Sequence, residues 1–168
     1  MYFGGSARRP PAETSGVYCR FVRYLGLDVG DVRIGVALSD ESATIASGLP
    51  TLGRVGPRKD VRAVARLVRE HGASEVVVGL PLRLDGEVGP QGQKVLAFMD
   101  AIREAVGVPV VAWDERFTTA IAQQALIEAD VKRKARKDAV DKVAAILILQ
   151  NYLDYRKLAD AEGQEPAD

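Results

Sequence analysis

The stretch YLGLDVGDVRIGVALSD, residues 24–40, constrains the fold more than any other part of the chain. Leu25, Leu27 and Val29 alternate with small or polar residues, and a second apolar run follows directly after Gly30 and Asp31. Alternation with a period of two on both sides of a Gly-Asp turn is typical of an antiparallel hairpin. We therefore expect the ordered part of the chain to begin with two paired strands.

Asp28 is unusual within the first strand, because it lies between Gly26 and Gly30 in the apolar stretch rather than in the turn. An ionised carboxylate is costly to bury unless it is paired or bound to a metal ion. The glycines leave space on the same face, so a ligand could approach the backbone there. We expect this face of the strand to hold a group that binds a carboxylate; the alternative is an aspartate that caps the turn.

The remainder of the chain predicts a third strand and then strands and helices in alternation. Pro50 indicates that the third strand, within residues 43–54, lies at a sheet edge or near a strand end. Periodicity predicts the later elements, which are helices over 60–72 and 93–107, buried strands over 74–81 and 108–117, and helices at about 118–130 and 138–158. This order, β-β-β-α-β-α-β-α-α, predicts an α/β fold with a mixed sheet and helices on its faces.

Length and composition indicate one globular domain, since the chain has 168 residues of which 47% are apolar. Residues 1–21 are rich in Gly, Pro and Ser, and we expect them to form a flexible extension. The folded domain is expected over 22–158, followed by a flexible acidic tail over 159–168. We find neither a membrane span nor the apolar core of a signal peptide, so a cytoplasmic location is expected.

Charge and cysteine content exclude several classes of site. The formal net charge is 0, so binding of nucleic acid would need a local basic patch rather than a global field. With one cysteine and one histidine, the chain has no disulfide framework, and a zinc site of Cys and His ligands is not expected.

Further acidic residues occur at the ends of two later elements. Asp114 and Glu115 end the last buried strand, where open α/β sheets gather ligands, and alternation alone does not decide which of them faces a site. The alternative there is a solvated strand end in which Glu115 pairs with Arg116.

Two further acids, Asp138 and Asp141, are three residues apart near the start of the last helix. They could project from one helix face, or they could be N-terminal acids favoured by the helix dipole.

Several converging carboxylates, without His or Cys ligands, would select Mg²⁺ or Mn²⁺ over zinc. Ions held in this way activate water and stabilise the leaving oxygen of an in-line displacement.

Beside these acids, residues 131–142 contain six Lys or Arg residues and two Asp residues. A solvated basic loop is the alternative to a phosphate-binding segment. The predicted nucleic-acid contacts are Arg33, Arg116, Lys132, Arg133, Lys134, Arg136 and Lys137.

Four motifs occur in an order and at separations that resemble the YqgF (RuvX) family, over about residues 23–155: LGLDVGDVRIGVALSD, VVVGLPLRLDG, WDERFTT and DAVDKVAAILILQNYLD. This family is similar to RuvC-type Holliday junction resolvases of the ribonuclease H-like superfamily. The resemblance implies a five-stranded mixed sheet whose second strand is antiparallel to the rest. It also implies that Asp28, Glu115 and Asp141 are the catalytic, metal-binding acids, which favours Glu115 over Asp114.

Asp138 departs from the family pattern, because many members have a small or basic residue at this position. The resulting Asp-x-x-Asp resembles the paired acids of RuvC-type resolvases, so Asp138 is a candidate fourth metal ligand. A helix-capping role is the alternative.

The resemblance implies a divalent-metal-dependent nuclease that acts on structured nucleic acid, with 5′-end processing of the 16S rRNA precursor as the expected role. Resolution of Holliday junctions in branched DNA is the alternative, and phosphate contacts do not distinguish the two substrates. An actin-like ATPase also begins with Asp-x-Gly and a hairpin but needs a longer chain, and a non-catalytic binding module would gain nothing from clustered acids. RuvC-type resolvases act as dimers, so the resemblance allows a homodimer.

Overall fold

The computed structural model describes the backbone of residues 22–114 and 133–162, and the side chains of 22–114 and 141–161. Three strands come first, and strands then alternate with helices. The elements are β1 (Arg23–Val29), β2 (Arg33–Ser39), β3 (Ala46–Gly53), α1 (Pro57–His71), β4 (Ala73–Leu80), α2 (Pro90–Ala105), β5 (Val110–Asp114) and α3 (Arg133–Glu162). The predicted helix at 118–130 lies outside the described residues.

The five strands form one mixed sheet in the order β3-β2-β1-β4-β5. β2 pairs antiparallel with both β1 and β3, whereas β4 pairs parallel with β1 and β5. The prediction of a five-stranded sheet with an antiparallel second strand is therefore confirmed. β3 lies at an edge of this sheet, in agreement with Pro50, which cannot donate a ladder hydrogen bond.

The two faces of the sheet carry different cores because side chains alternate along each strand. Leu25, Leu27 and Val29 of β1 pack under α1 and α2, together with the apolar stripes that the two helices present. The buried residues of those stripes are Val61, Val64, Ala65, Val68, Val95, Phe98, Met99 and Ile102. The opposite face carries α3, whose buried residues include Ala144, Ala145, Ile148 and Leu149.

Both helices on the first face begin earlier than the periodicity predicts. α1 starts at Pro57 and α2 at Pro90, and each follows a glycine. Proline is favoured at the first position of a helix, because its missing N–H would have no intrahelical partner there. α1 ends at Gly72, which adopts a left-handed conformation with φ of 61°.

α3 is longer than predicted at both ends, because it runs from Arg133 to Glu162 instead of 138–158. The backbone of residues 133–137 is helical, so this part of the basic segment is not a loop, which was the alternative to a phosphate-binding segment. At the other end, residues 159–162 continue the helix. In the described part of the chain, no helix is both long enough and apolar enough to cross a membrane.

Candidate active site

Asp28 lies on the face of the sheet that carries α3. It is half-buried near the carboxyl end of β1 and pairs in register with Gly35 of β2. Gly26, two residues earlier, lies on the same face and pairs with Ala37, which belongs to the core beneath α3. The carboxylate of Asp28 is therefore directed toward the layer that α3 occupies.

Three glycines on adjacent strands allow α3 to lie directly on the sheet. A Cβ atom at Gly26 would lie 2.7 Å from the Cβ of Leu149, too close for the two atoms. A Cβ at Gly35 would clash with the backbone carbonyl of Asp141, and one at Gly48 would clash with the side chain of Lys142. We call these three residues, Gly26, Gly35 and Gly48, the glycine groove.

The glycine groove corrects one expectation from the sequence. The space beside Gly26 was expected to admit a ligand, but helix α3 fills it. The groove brings the backbone of Asp141 against Gly35, the register partner of Asp28. Two of the predicted acids, which are far apart in the sequence, therefore meet at one end of the sheet.

The surroundings of Asp28 on this face shift the pKa of its carboxyl group. Burial, with an added contribution from the negative charge of Asp141, raises the pKa of Asp28 to about 6. Both effects disfavour the charged form of a carboxyl group. Asp28 and Asp141 are thus close enough to repel one another when both are ionised, and a cation between them would relieve that repulsion.

A cavity of about 300 Å³ opens beside the acids. It is lined by Gly30, Asp31, Val32, Arg33 and Asp141, so the turn between β1 and β2 forms one wall and the start of the buried part of α3 forms another. Arg33 is half-buried and brings a positive charge to the same cavity as Asp141. A cavity with both a carboxylate and a guanidinium can accommodate a cation and a phosphate side by side.

Hydrogen bonds within the β1–β2 turn and contacts from neighbouring elements hold this turn in place. The Gly30 N–H donates to the carbonyl of Arg33 at 2.9 Å, which closes the turn. Arg54 donates from Nη1 to the carbonyl of Gly30 at 3.0 Å, and Lys94 of α2 pairs with Asp31 at 3.1 Å. The wall of the cavity is therefore fixed by residues of the β3–α1 connection and of α2.

Arg54 is itself held by a buried carboxylate. Its Nε lies 3.0 Å from Asp60, whose side chain is 3% exposed. Burial alone would raise the pKa of Asp60, but hydrogen bonds from the backbone of Val55 and Gly56 and from Arg54 keep the pKa below its usual value. Asp60 is thus an ionised anchor for Arg54 at neutral pH.

The structure brings some of the predicted site residues together and does not describe others. Asp28, Asp141 and Arg33 are brought to one end of the sheet. Asp138 lies in the second turn of α3, beyond the first turn where the helix dipole acts on carboxylates, so the backbone does not favour a capping role. Arg133, Lys134, Arg136 and Lys137 lie on α3, where side chains are not described. Glu115, Arg116 and Lys132 lie outside the described residues.

Asp114 is described, and it lies on the other side of the sheet. It pairs in register with Leu80, which packs against the core beneath α1 and α2. Trp113, in contrast, belongs to the α3 face and packs edge-on against Tyr152 with ring centroids 5.4 Å apart. Asp114 is thus directed away from Asp28.

The donor set fits a hard divalent cation. Carboxylate oxygens are the ligands that Mg²⁺ and Mn²⁺ prefer, and the mutual repulsion of Asp28 and Asp141 favours a cation between them. Among the residues that the structure describes, no group of three or more His, Cys, Asp or Glu side chains is positioned for a metal ion. Asp28 and Asp141 would therefore account for only part of the ligands that such a cation requires.

Sequence reasoning missed the residues that support the site rather than form it. Gly35 and Gly48 were passed over, although each is a small residue in an otherwise apolar strand. Arg54 and Asp60 were also missed, because they reach the cavity only through the tertiary contact of Arg54 with Gly30. A glycine in each of three adjacent strands is a signal that could have predicted a closely packed helix.

Comparison with known proteins gives extensive sequence similarity. A family model described as RuvX, Holliday junction resolvase, matches residues 22–155. A protein of Thermoanaerobacter pseudethanolicus named "Putative pre-16S rRNA nuclease" is 50% identical over 137 residues, which are 81% of this chain and 99% of that protein. A protein of the same name from Clostridioides difficile is 44% identical over 134 residues, which are 80% of this chain and 95% of that protein.

A solved structure has a similar fold. T. thermophilus RuvC in complex with Holliday junction substrate aligns with a TM-score of 0.54 at 15% identity, over 82% of this chain and 96% of that chain. At this identity the likeness concerns the fold alone, and it confirms the predicted ribonuclease H-like architecture. The family match covers the whole of the sheet and most of α3, and from it we conclude that this chain belongs to the RuvX family.

Proposed function

We propose that this protein is a divalent-metal-dependent nuclease that cleaves phosphodiester bonds of structured nucleic acid. The observation that carries the proposal is the approach of Asp141 to the buried Asp28, which the packing of α3 in the glycine groove produces. Burial raises the pKa of Asp28 to about 6, and the negative charge of Asp141 contributes to this rise. In a protein that only bound phosphate, two such carboxylates would lower the affinity, because they repel the phosphate. A metal-dependent nuclease needs such carboxylates, because they would hold the cation that activates water and stabilises the leaving oxygen.

Glu115 is proposed as the third acid, by an argument from β5. Trp113 lies on the α3 face and Asp114 on the opposite face. Continued alternation beyond Asp114 would return the next residue, Glu115, to the face of Asp28. This agrees with the family resemblance, which favours Glu115 over Asp114.

Asp138 is proposed as a fourth ligand. It precedes Asp141 by three residues on one continuous helix, so both residues lie on the same side of α3. We assign Mg²⁺ or Mn²⁺ to the set of Asp28, Glu115, Asp141 and Asp138, because it contains oxygen donors alone. When bound, such an ion polarises the scissile phosphate and lowers the pKa of an attacking water.

The chain's own side chains position the substrate. Ionised Asp28 and Asp141 would hold the cation near the carboxyl end of β1, and Arg33, which lines the same cavity as Asp141, would attract a phosphate oxygen. The basic residues at the start of α3, with Arg116, extend this attraction along the backbone of the substrate. The proposed contacts are Arg33, Arg116, Lys132, Arg133, Lys134, Arg136 and Lys137.

The substrate we propose is the 5′ end of the 16S rRNA precursor, on the strength of the names of relatives that are 44–50% identical. The description of the family model favours a second candidate, the four-way DNA junction. Two symmetric cuts in such a junction would need a homodimer. A cytoplasmic location suits either substrate.

The experiment is a cleavage assay of three proteins with Mn²⁺, with Mg²⁺ and with EDTA. Wild type is compared with Asp28→Asn and with Asp160→Asn, a matched control at an exposed position near the end of α3. The substrates are an RNA that spans the 5′ end of precursor 16S rRNA, a four-way DNA junction and a linear duplex. We expect metal-dependent cleavage of the RNA that is lost in Asp28→Asn and retained in Asp160→Asn. Symmetric cleavage of the junction alone would support the second candidate, and binding without cleavage of any substrate would contradict the nuclease proposal.

A further inference from the structure

The outer surface of α1 carries a row of positive charges on the side of the molecule opposite to the site. Its exposed cations are Arg58, Lys59, Arg62, Arg66 and Arg69. The inner surface of the same helix packs on the sheet through Val61, Val64 and Val68. In a chain whose formal net charge is 0, such a concentration on one helix face creates a local positive field.

These cations surround a groove of about 590 Å³ between α1 and the end of α2. Lys59, Arg62, Arg66 and Arg69 line it, and Ala63, Ala65 and Ala105 form an uncharged floor. We call this surface the basic face of α1. Small side chains beneath long basic ones leave room for a sugar-phosphate strand to lie against the helix.

The acids of α1 itself do not neutralise the basic face. Asp60, the acid in the first turn of α1, is buried and bound to Arg54 on the inside. Glu70 pairs with Arg66 at 3.6 Å, but both side chains are more than half exposed, at 55% and 62%. An exposed pair of this kind is weak and yields readily to a phosphate.

The basic face begins at the end of the molecule that carries the site. β3 ends there, since Gly53 pairs with Arg33, and Arg54 bonds to Gly30 beside the cavity. α1 then runs to the far end of the sheet, where Ala73 pairs with Arg23. From Lys59 to Arg69 the helix rises about 15 Å. A strand that leaves the cavity over the β1–β2 turn would therefore meet the first cations of α1 and could follow them.

We propose that the basic face of α1 binds the phosphate backbone of a helical arm of the RNA substrate, outside the cleavage position. This inference rests on the proposed nuclease function for the identity of the ligand. Cations about one helical turn apart suit a polyanion with regularly repeated charge. A second copy of the same face is excluded as the partner, because a symmetric contact would place like charges against one another.

Binding is tested with the full chain in EDTA, so that no cleavage occurs. The probe is a fluorescent RNA that contains the 5′ end of precursor 16S rRNA with its helical arm, and affinity is measured over a range of salt concentrations. The variants are Arg62→Gln and the triple variant Arg62→Gln/Arg66→Gln/Arg69→Gln. Lys157→Gln, which removes one exposed charge near the far end of α3, is the matched control for the single variant. Thermal unfolding of each variant verifies the fold.

The proposal predicts a smaller salt dependence of binding, by about one unit of slope for each arginine removed, and no change for Lys157→Gln. At moderate salt the triple variant should bind roughly tenfold or more weakly. Its cleavage of a short RNA without the arm should equal that of wild type. An unchanged affinity and slope in the triple variant would overturn the proposal.

The assay separates this proposal from the proposed nuclease function. If wild type cleaves the RNA while the arginine variants bind it normally, the basic face is not an RNA contact and the nuclease proposal stands. If wild type cleaves none of the three substrates while the arginine variants lose salt-dependent binding, the basic face binds RNA and the nuclease proposal fails.

Discussion

At the scale of single residues, the site depends on Asp28 being held where its charged form is disfavoured. Its pKa of about 6 lies above the usual value of 3.8, because of burial and the charge of Asp141. The folded protein therefore retains a proton between about pH 4 and pH 6 that the unfolded chain has lost. Stability falls as the pH rises through this window, and above pH 6 the full cost of the ionised carboxylate remains.

Replacement of Asp28 by asparagine should therefore stabilise the metal-free protein at neutral pH. The expected gain is at most about 3 kcal/mol at pH 7.5, and it should vanish at about pH 3, below both pKa values, where the carboxyl is largely protonated in both states. Urea unfolding in EDTA at the two pH values measures it, with Asp160→Asn as the exposed control. A gain of equal size at both pH values would contradict the assigned pKa.

Gly35 offers a steric test at the same scale. A methyl group there would clash with the carbonyl of Asp141, so Gly35→Ala should push α3 away from Asp28. We expect a loss of about 1–3 kcal/mol in the free energy of unfolding, as for other overpacked cores, together with a loss of cleavage. Gly53→Ala is the control, because a Cβ at Gly53 meets nothing within 4 Å. Equal stability of the two variants would contradict the close packing of α3.

At the scale of elements, the connection between β3 and α1 supports the wall of the cavity. Arg54 forms an ion pair with Asp60 and donates a hydrogen bond to the carbonyl of Gly30. Its guanidinium carbon also lies 5.2 Å from the centroid of the Phe98 ring. Because Asp60 is buried, the loss of Arg54 would leave a carboxylate without its charged partner. The exposed pair of Arg66 and Glu70 has the same chemistry without burial.

Arg54→Ala should therefore destabilise the protein by about 3–5 kcal/mol, whereas Arg66→Ala should change the free energy of unfolding by less than about 1 kcal/mol. Chemical denaturation at pH 7 measures both values. Asp60→Asn/Arg54→Ala should recover part of the loss, since the buried charge is then absent. If Arg54→Ala were as mild as Arg66→Ala, the buried anchor would have no energetic role.

From the sequence, the presence of the strands and helices could be predicted more accurately than the residues at which they begin and end. Alternation in residues 24–40 predicted the hairpin because a half-buried strand imposes a period of two. The starts at Pro57 and Pro90 were missed because a glycine before a proline resembles a loop as much as a helix start. The first turn of α3 was missed because its Lys and Arg residues carry no apolar periodicity.

The meeting of Asp28 with Asp141 could not be predicted from local patterns alone. It depends on the register that pairs Asp28 with Gly35 and on the packing of α3 in the glycine groove. The family resemblance indicated both acids, but it did not reveal that α3 fills the space beside Gly26. The support of the cavity by Arg54 was hidden for the same reason, since Gly30 and Phe98, which Arg54 also contacts, are distant from it in the sequence.

At the scale of the whole molecule, the sheet separates a site layer under α3 from a layer of α1 and α2 with the basic face. Relatives that align over 95–99% of their own length match only 80–81% of this chain. The family match begins at residue 22, so residues 1–21 lie beyond what these proteins share.

Removal of residues 1–21 should therefore leave the fold and the cleavage activity unchanged. We expect the melting temperature of the shortened protein to equal that of the full chain within about 2 °C, because every core residue that the structure describes lies within the family match. Calorimetry and the cleavage assay measure the two properties. A decrease of several degrees would show that the extension packs on the domain and would contradict the proposed domain boundary.

The central claim, that Asp28 and Asp141 form a carboxylate pair that holds a divalent ion, is tested most directly by the pKa of Asp28. We would titrate its carboxyl carbon by NMR with and without saturating Mg²⁺. The account predicts a pKa of about 6 without the ion and a value well below 4 with it, because a bound cation favours the ionised form. An ordinary pKa without the ion, or a raised pKa that Mg²⁺ does not lower, would contradict the account.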